Sequence, residues 1–200
     1  MAYSINDIRA NLRLGGARPT LFRVQLTSPG NIGIDLSVSE FMIQASSLPG
    51  STIAPIEIPY FGRKVRIAGD RTFEPWSVTV MNDEDFAVRA LFEKWSNALN
   101  RMVSNVRDPS IATENYKVDL DVVQYAKDGA TIRAYQLIGA WPTGIGPIGL
   151  NWESGNAIEE FSVNFAYDYW VPAVEVSDKK AGGVNLYGGS VNVDGINGPN

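Results

Sequence analysis

From Phe22 the chain alternates: Phe22, Val24 and Leu26 are apolar, while Arg23, Gln25 and Thr27 are polar. A period of two marks a strand with one buried face. The pattern returns at Trp76, Val78 and Val80, set against Ser77 and Thr79. It returns again at Tyr116, Val118, Leu120 and Val122, set against Lys117, Asp119 and Asp121. It is fullest over residues 158–170, where Phe161, Val163, Phe165, Tyr167 and Tyr169 share a face opposite Glu160, Ser162, Asn164 and Asp168. Further strands are expected about Ile32–Val38, Phe41–Ala45, Lys64–Ile67 and Thr131–Ala140. Ser28–Asn31, Gly69-Asp70 and Lys127-Asp128-Gly129 read as turns, and Trp141–Gly149, rich in Gly and Pro, as a loop.

The period changes to helical once. Val88, Leu91, Phe92, Trp95, Leu99 and Met102 fall on one face, with Arg89, Glu93, Lys94 and Asn97 away from it. Asn82 is placed to cap this helix and Asp83, Glu84 and Asp85 to occupy its first turn, so the helix is expected over about residues 83–102. Its apolar face needs cover, so it should cap a sheet or the mouth of a barrel. The fold class is mainly β: an antiparallel sandwich or barrel with one flanking helix.

Three regions stand apart. Residues 1–17 read as an N-terminal arm, with Ile5, Ile8 and Leu12 at helical spacing before Gly15 and Gly16. Residues 172–200, rich in Gly and Asn, read as a C-terminal extension with weak strand propensity. The β domain lies between, over residues 18–171. Inside it, Ser46–Gly62 carries Pro49, Pro55 and Pro59, which cannot donate to a sheet ladder, so the stretch is loop or edge. Its Ile53, Ile56, Ile58, Tyr60 and Phe61 are unusually apolar for such a place. Either they fold back over their own core or they lie on a neighbouring subunit.

Composition narrows the chemistry. The 200 residues include no Cys and no His, which removes disulfides, thiol chemistry, Ser-His-Asp machinery and His-based zinc sites. The formal net charge is −5, with 7 basic and 12 acidic residues over 101–200, and no basic stripe offers itself to nucleic acid. No apolar run approaches a membrane-spanning length, and the first residues lack a signal-peptide core. Asp119 and Asp121 share a strand face, as the acid–base pair of a carbohydrate-processing enzyme would, but nothing near them on the chain suggests a sugar cleft, and a solvated or lumen-facing strand surface is the better reading. Lys64, Asp70 and Arg71 lack the GxxxxGK spacing of a phosphate loop. Asp83, Glu84 and Asp85 are explained by a helix start rather than a metal. The aromatic strand at 161–170 reads as core rather than as a stacking platform for nucleic acid. No catalytic, cofactor-binding or metal-binding residue is expected.

One extended stretch goes further. VRIAGDRTFEPWSVTVMNDEDF (Val65–Phe86) resembles the signature region of the tail tube proteins of T4-type contractile-tailed bacteriophages. ARPTLFRVQL, LPGSTIAPIEIPYFGRKVRIAGDRTF, YKVDLDVVQYAKDG and LIGAWPTGIGPIGLNWESGNAIEEFSVNFAYDYW continue the likeness in the family's order, over roughly residues 17–171. The resemblance implies a small β-sandwich or barrel with a flanking helix, related in fold to type VI secretion tube proteins. It implies homo-hexameric rings whose strands join into one inner barrel, stacked into a helical tube that conducts double-stranded DNA during ejection. The implied partners are the surrounding sheath, baseplate and tail-terminator proteins, and tape measure protein with transient DNA in the lumen. The implied location is the virion, after assembly in the host cytoplasm. The alternative within the family is a baseplate or tail-terminator protein that forms one ring. Val65–Asp70 and the strand from Trp76 are implied to sit in the tube-building sheet, and Ser46–Gly62 and the arm to touch adjacent subunits or rings. Asp119, Asp121, Glu160 and Asp168 are the candidate lumen acids, where like charge lets DNA slide. The family's shorter members end soon after Asp168–Trp170, so residues 172–200 are a departure: a candidate to decorate the exterior, bridge rings or contact the sheath.

Overall fold

The computed structural model describes residues 16–29, 32–33, 35–107, 109, 111 and 113–172. The expected arm up to residue 15 and the extension from 173 lie outside the described residues, as does part of the Ser28–Asn31 turn.

Among the described residues nine strands form: β1 (Phe22–Leu26), β2 (Ile43–Ser46), β3 (Ser51–Tyr60), β4 (Arg63–Phe73), β5 (Trp76–Met81), β6 (Val118–Tyr125), β7 (Thr131–Ile145), β8 (Glu160–Ala166) and β9 (Tyr169–Pro172). All but β3 and β4 belong to one antiparallel sheet in the order β1-β6-β7-β8-β5-β2, with β9 on β7. β3 and β4 make a separate two-stranded ribbon. The helix α1 spans Ala87–Leu99, and a single helical turn, α2, spans Thr113–Tyr116.

The long strand β7 organises the sheet. Tyr135–Leu137 lie between β6 on one side and β9 on the other, whereas Trp141–Ile145 pair with β8. The handover passes Gly139, at φ +66°, a region costly for any residue with a Cβ. A Cβ there would stand 2.5 Å from Asp168 Oδ2. The corner therefore extends β7 into Trp141–Ile145, a correction to the loop expected at Trp141–Gly149. It also breaks the expected strand over 158–170 in two. β8 follows one limb of β7 and β9 the other, and the chain turns at Tyr167-Asp168, where Asp168 N donates to Ile138 O at 3.0 Å. The alternation holds for the buried Phe161, Val163 and Phe165, but Tyr169 is exposed.

One core joins both limbs. Val24, Leu26, Val118, Leu120, Val122 and Leu137 come from one, Trp76, Val78, Val80, Phe161, Val163 and Phe165 from the other. α1 closes it with Val88, Phe92 and Trp95, all fully buried. Phe92 meets Phe161 and Phe165 edge-on at 6.3 Å between centroids, and the Trp95 ring lies 6.2 Å from Phe165. The indole N–H groups of Trp76 and Trp95 donate to Ser47 O (2.7 Å) and Tyr116 O (3.2 Å), so neither is left unpaired. Such aromatic contacts contribute about 1 kcal/mol each beyond the area they bury.

Other differences from the sequence reading have local causes. No strand forms among the described residues of 32–38, and Phe41 lies in a 3-10 helix, Ser37–Phe41, rather than in β2. Ser28 Oγ accepts from Leu36 N at 2.7 Å and Ser39 Oγ donates to Leu36 O at 2.5 Å, which holds the buried Leu36 by side chain–backbone bonds instead of a ladder. The helix begins at Ala87, not at residue 83. Asn82 does not cap it: a cap accepts through its side-chain oxygen, whereas Asn82 Oδ1 is buried without a partner, and its backbone N and Nδ2 donate to Glu159 O (2.8 Å) and Oε2 (3.0 Å). Asp83, Glu84 and Asp85 form a turn ahead of the helix, and Phe86 supplies its N-cap at φ +56°. Met102 lies beyond the last turn and is 68% exposed. Tyr116 ends α2 rather than opening β6. The Lys127-Asp128-Gly129 turn joins β6 to β7 as expected, with Ala126 N donating to Ala130 O at 2.8 Å.

Candidate assembly interface

The β3–β4 ribbon is where the sequence and the fold part company most. Lys64–Ile67 is not a short strand ended by a turn at Gly69-Asp70. β4 runs through both residues, and the actual turn is Phe61-Gly62. The register explains how. Ile53 pairs with Arg71 and Pro55 with Ala68, so Ala54 alone faces Gly69 and Asp70 together. That is a β-bulge, one extra residue on β4. Gly69 is needed there because a Cβ would come within 2.6 Å of Ala54 O. Pro55 and Pro59 are tolerated because both strands of an isolated ribbon are edges.

Opposed residues in an antiparallel pair share a face. Ile56 opposes Ile67, Ile58 opposes Val65 and Tyr60 opposes Arg63, whereas Glu57 opposes Arg66 on the other face. The ribbon is thus two-sided. On one side Glu57 binds Lys64 Nζ (2.6 Å) and Arg66 Nε (3.0 Å). The other side is apolar, and Ile56, Ile58, Val65 and Ile67 each remain about half exposed. The bulge sorts Arg71 correctly. Strict alternation along β4 would put it beside Ile67, but the extra residue moves it to the polar side, where Nη1 donates to Ser51 Oγ at 2.6 Å. Phe61, at the tip, is 90% exposed. Ile53, Ile56, Ile58, Tyr60 and Phe61 therefore do not fold back on their own core.

The remaining candidates separate. Lys64, Asp70 and Arg71 do not converge on a cradle, since Lys64 is held by Glu57 and Arg71 by Ser51. Asp119 and Asp168 meet at the Gly139 corner, and Asp121, opposite Gln136, lies within reach of the Asp119 charge. Asp119 Oδ1 accepts from Gly139 N at 3.0 Å, and both Asp168 oxygens lie 2.8 Å from Lys117 Nζ. Burial, and after it the Asp119 charge, push the Asp121 carboxyl above the ordinary carboxylate range. Glu160 stands apart, exposed at the start of β8 opposite Met81. Val65–Asp70 and the strand from Trp76 do not share a sheet within the chain.

Sequence reasoning missed part of the surface. Val65 and Ile67 extend the apolar side onto β4, and the alternation of Ile56, Ile58 and Tyr60 was its legible half. Leu150, Trp152 and Ile158, on the β7–β8 connection, are 80%, 104% and 70% exposed; nothing in a Gly-rich loop announces that.

An apolar flank held out on a ribbon calls for another molecule to cover it. Comparisons with known proteins give the family. Residues 17–173 match the family described as phage tail tube protein. The chain is 36% identical over 168 residues to tail tube protein gp19 of Enterobacteria phage T4, covering 83% of this chain and 98% of that one. Its fold is similar to the cap of the anti-feeding prophage seen by cryo-EM (TM-score 0.59, 14% identity, 80% and 92% of the two chains). It is similar also to a chain of the PVC sheath–tube complex of an extracellular contractile injection system (TM-score 0.54, 12% identity, 86% and 98%). With a family match spanning nearly every described residue, the chain belongs to the phage tail tube proteins.

Proposed function

We propose that this chain is the structural subunit of a contractile phage tail tube. Copies close into hexameric rings, rings stack, and the hollow lumen conducts double-stranded DNA when the tail drives through the host envelope. The observation that carries this reading is the bare apolar side of the β3–β4 ribbon in a member of this family. A ribbon whose strands are all edges completes itself on another subunit, and repeated contacts of that kind build a closed ring or an open filament. The function is mechanical; no residue is assigned a catalytic, cofactor or metal role. The sheath surrounds the tube, the terminator and baseplate cap its ends, and tape measure protein and DNA occupy it in turn. Subunits assemble in the host cytoplasm and reside in the virion. Asp119 and Asp121 are proposed for the lumen wall, where they repel rather than hold DNA.

Negative-stain microscopy of the concentrated purified protein tests this. Long hollow tubes are expected. Solitary rings would assign the chain to the single-ring role of a baseplate or terminator protein, and a persistent monomer would overturn the reading.

A further inference from the structure

The tube reading gives the apolar side of the β3–β4 ribbon a purpose and leaves the other side without one. Cations that are scattered along the sequence meet there. Lys64 and Arg66 lie two residues apart on β4, and the bulge at Gly69-Asp70 turns Arg71 to the same side, opposite Ile53. Among the described residues paired on that side, Glu57 alone is acidic; Ser51, Ile53, Pro55, Pro59, Ala68 and Phe73 carry no charge. Asp70 sits inside the bulge. Even counting it, residues 51–73 hold Arg63, Lys64, Arg66 and Arg71 against two acids, a net positive element on a chain of net charge −5. The fold has thus built a basic stripe that the sequence does not display as a run.

Its side chains are set for an anion. Those of Lys64 and Arg66 are 66% and 71% exposed. Glu57 orients both, taking Lys64 Nζ at 2.6 Å and Arg66 Nε at 3.0 Å. Arg66 is engaged through Nε alone, which leaves Nη1 and Nη2 for a further acceptor. Arg71 spends Nη1 on Ser51 Oγ at 2.6 Å and keeps Nη2. Exposed ion pairs of this kind are weak and exchange with ions from solution. From Lys64 to Arg71 the stripe is about 20 Å long. Double-stranded DNA carries one phosphate charge per roughly 1.7 Å of its axis, so several fall along that length. A two-stranded ribbon is also narrow enough to enter the major groove. The ribbon has no Asn or Gln, the usual readers of adenine, which favours contact with the backbone over the bases.

We infer that the stripe of Lys64, Arg66 and Arg71 faces the lumen and is the surface through which this chain touches the phosphate backbone of double-stranded DNA, without regard to sequence. The inference rests on the tube reading, which supplies the ligand: with the apolar side turned to another copy, the ribbon keeps its basic side for what passes. Asp119 and Asp121 are proposed to repel the same polymer from the body of the chain. The duplex then meets a few weak, salt-sensitive holds on an otherwise repelling wall, and contacts of that kind let DNA slide.

Fluorescence anisotropy of a short labelled duplex with the unassembled chain tests the surface. Two or three phosphate contacts predict an affinity that falls about fifteen- to sixtyfold between about 50 and 200 mM salt. The double variant Lys64→Gln with Arg66→Gln should weaken binding at low salt about tenfold, by the same factor for duplexes of different sequence. Lys127→Gln with Arg133→Gln removes as much charge elsewhere and should change binding less than about twofold. No binding by the wild type at low salt, or an equal loss in both variants, would overturn the inference. Tubes assembled around the duplex test the location. Wild-type tubes should shield it from nuclease, and tubes of the Lys64 and Arg66 variant should release it at lower salt. Wild-type tubes that leave the duplex open to nuclease would put the stripe outside the lumen and overturn the assignment. A Lys64 and Arg66 variant that binds duplex normally yet fails to assemble would give the stripe to another subunit, with the same consequence. Tubes that form but hold no DNA overturn this inference alone, whereas wild-type protein that binds duplex through the stripe and never forms tubes overturns the tube reading and leaves the DNA surface standing.

Discussion

Replacing Ile58 and Val65 together by Ser removes one cross-strand pair from the apolar side of the ribbon. Ile58 is 47% exposed and Val65 54% exposed in the single chain. Complete burial of such a side chain is worth about 2 kcal/mol, so covering the exposed half contributes about 1 kcal/mol from each residue. Loss of both weakens each subunit contact by about 2 kcal/mol, which raises the assembly concentration roughly thirtyfold. The pair also stabilises the ribbon itself, by no more than about 1 kcal/mol, and that loss is confined to an element outside the core cluster. Sedimentation of assembled material over a concentration series reads the first effect, and the Tm of the unassembled chain reads the second. The expected result is a large shift in assembly with a Tm within a few degrees of wild type. An unchanged assembly concentration would refute the claim that this side is covered by another copy. A collapse of Tm would show that it was part of the chain's own core.

Three further substitutions probe the body. Tyr167 OH is buried without a hydrogen-bond partner, and burial, then Glu74, raise its pKa above the ordinary value; Tyr167→Phe should therefore be neutral or stabilising by up to about 1 kcal/mol, checked as an equal or higher Tm. Gly139→Ala should cost about 2 kcal/mol and lower Tm by roughly 4–8 °C, since it forces a Cβ into a positive-φ corner and against Asp168. Asp121 has a raised pKa, so its ionised form is the disfavoured one in the folded chain. The penalty is full above the folded pKa and disappears below the unfolded one. Asp121→Asn should accordingly be the more stable protein at pH 7, and its advantage should vanish as the pH falls through the carboxylate range; an advantage that persists in acid would show another cause.

The residues that announced themselves in the sequence are those whose environment is set by their own strand. Val24, Trp76, Val78, Phe161 and Phe165 alternate because one face of one strand meets the core, and they are buried as the alternation implies. The face of α1 was legible for the same reason. What was illegible depends on distant partners. Asn82 has the chemistry of a cap, but Glu159, far along the chain, ties its amide to β8 ahead of the helix, and its Oδ1 accepts from no helix N–H. The corner at Gly139 decides both the length of β7 and the break after Ala166, and neither is visible in residues 141–149 or 158–170 alone. In the ribbon, Gly69-Asp70 has turn composition, but the two residues serve as a bulge because Ala54 lies across from them. The apolar side was visible in part at Ile56 and Ile58. Its purpose was not, because on the proposed reading the surface that covers it is on another molecule.

That bulge has a mechanical corollary. Side chains on a pleated ribbon keep time with the backbone, and the residue added at Gly69-Asp70 advances the beat by one half-period between base and tip. Deleting Asp70 would leave the identity of every other residue intact yet drive Arg71 onto the greasy flank or rotate the distal ribbon so that Ile56 and Ile67 point the wrong way. A subunit can therefore be disabled by a change of phase alone, with its core fully folded.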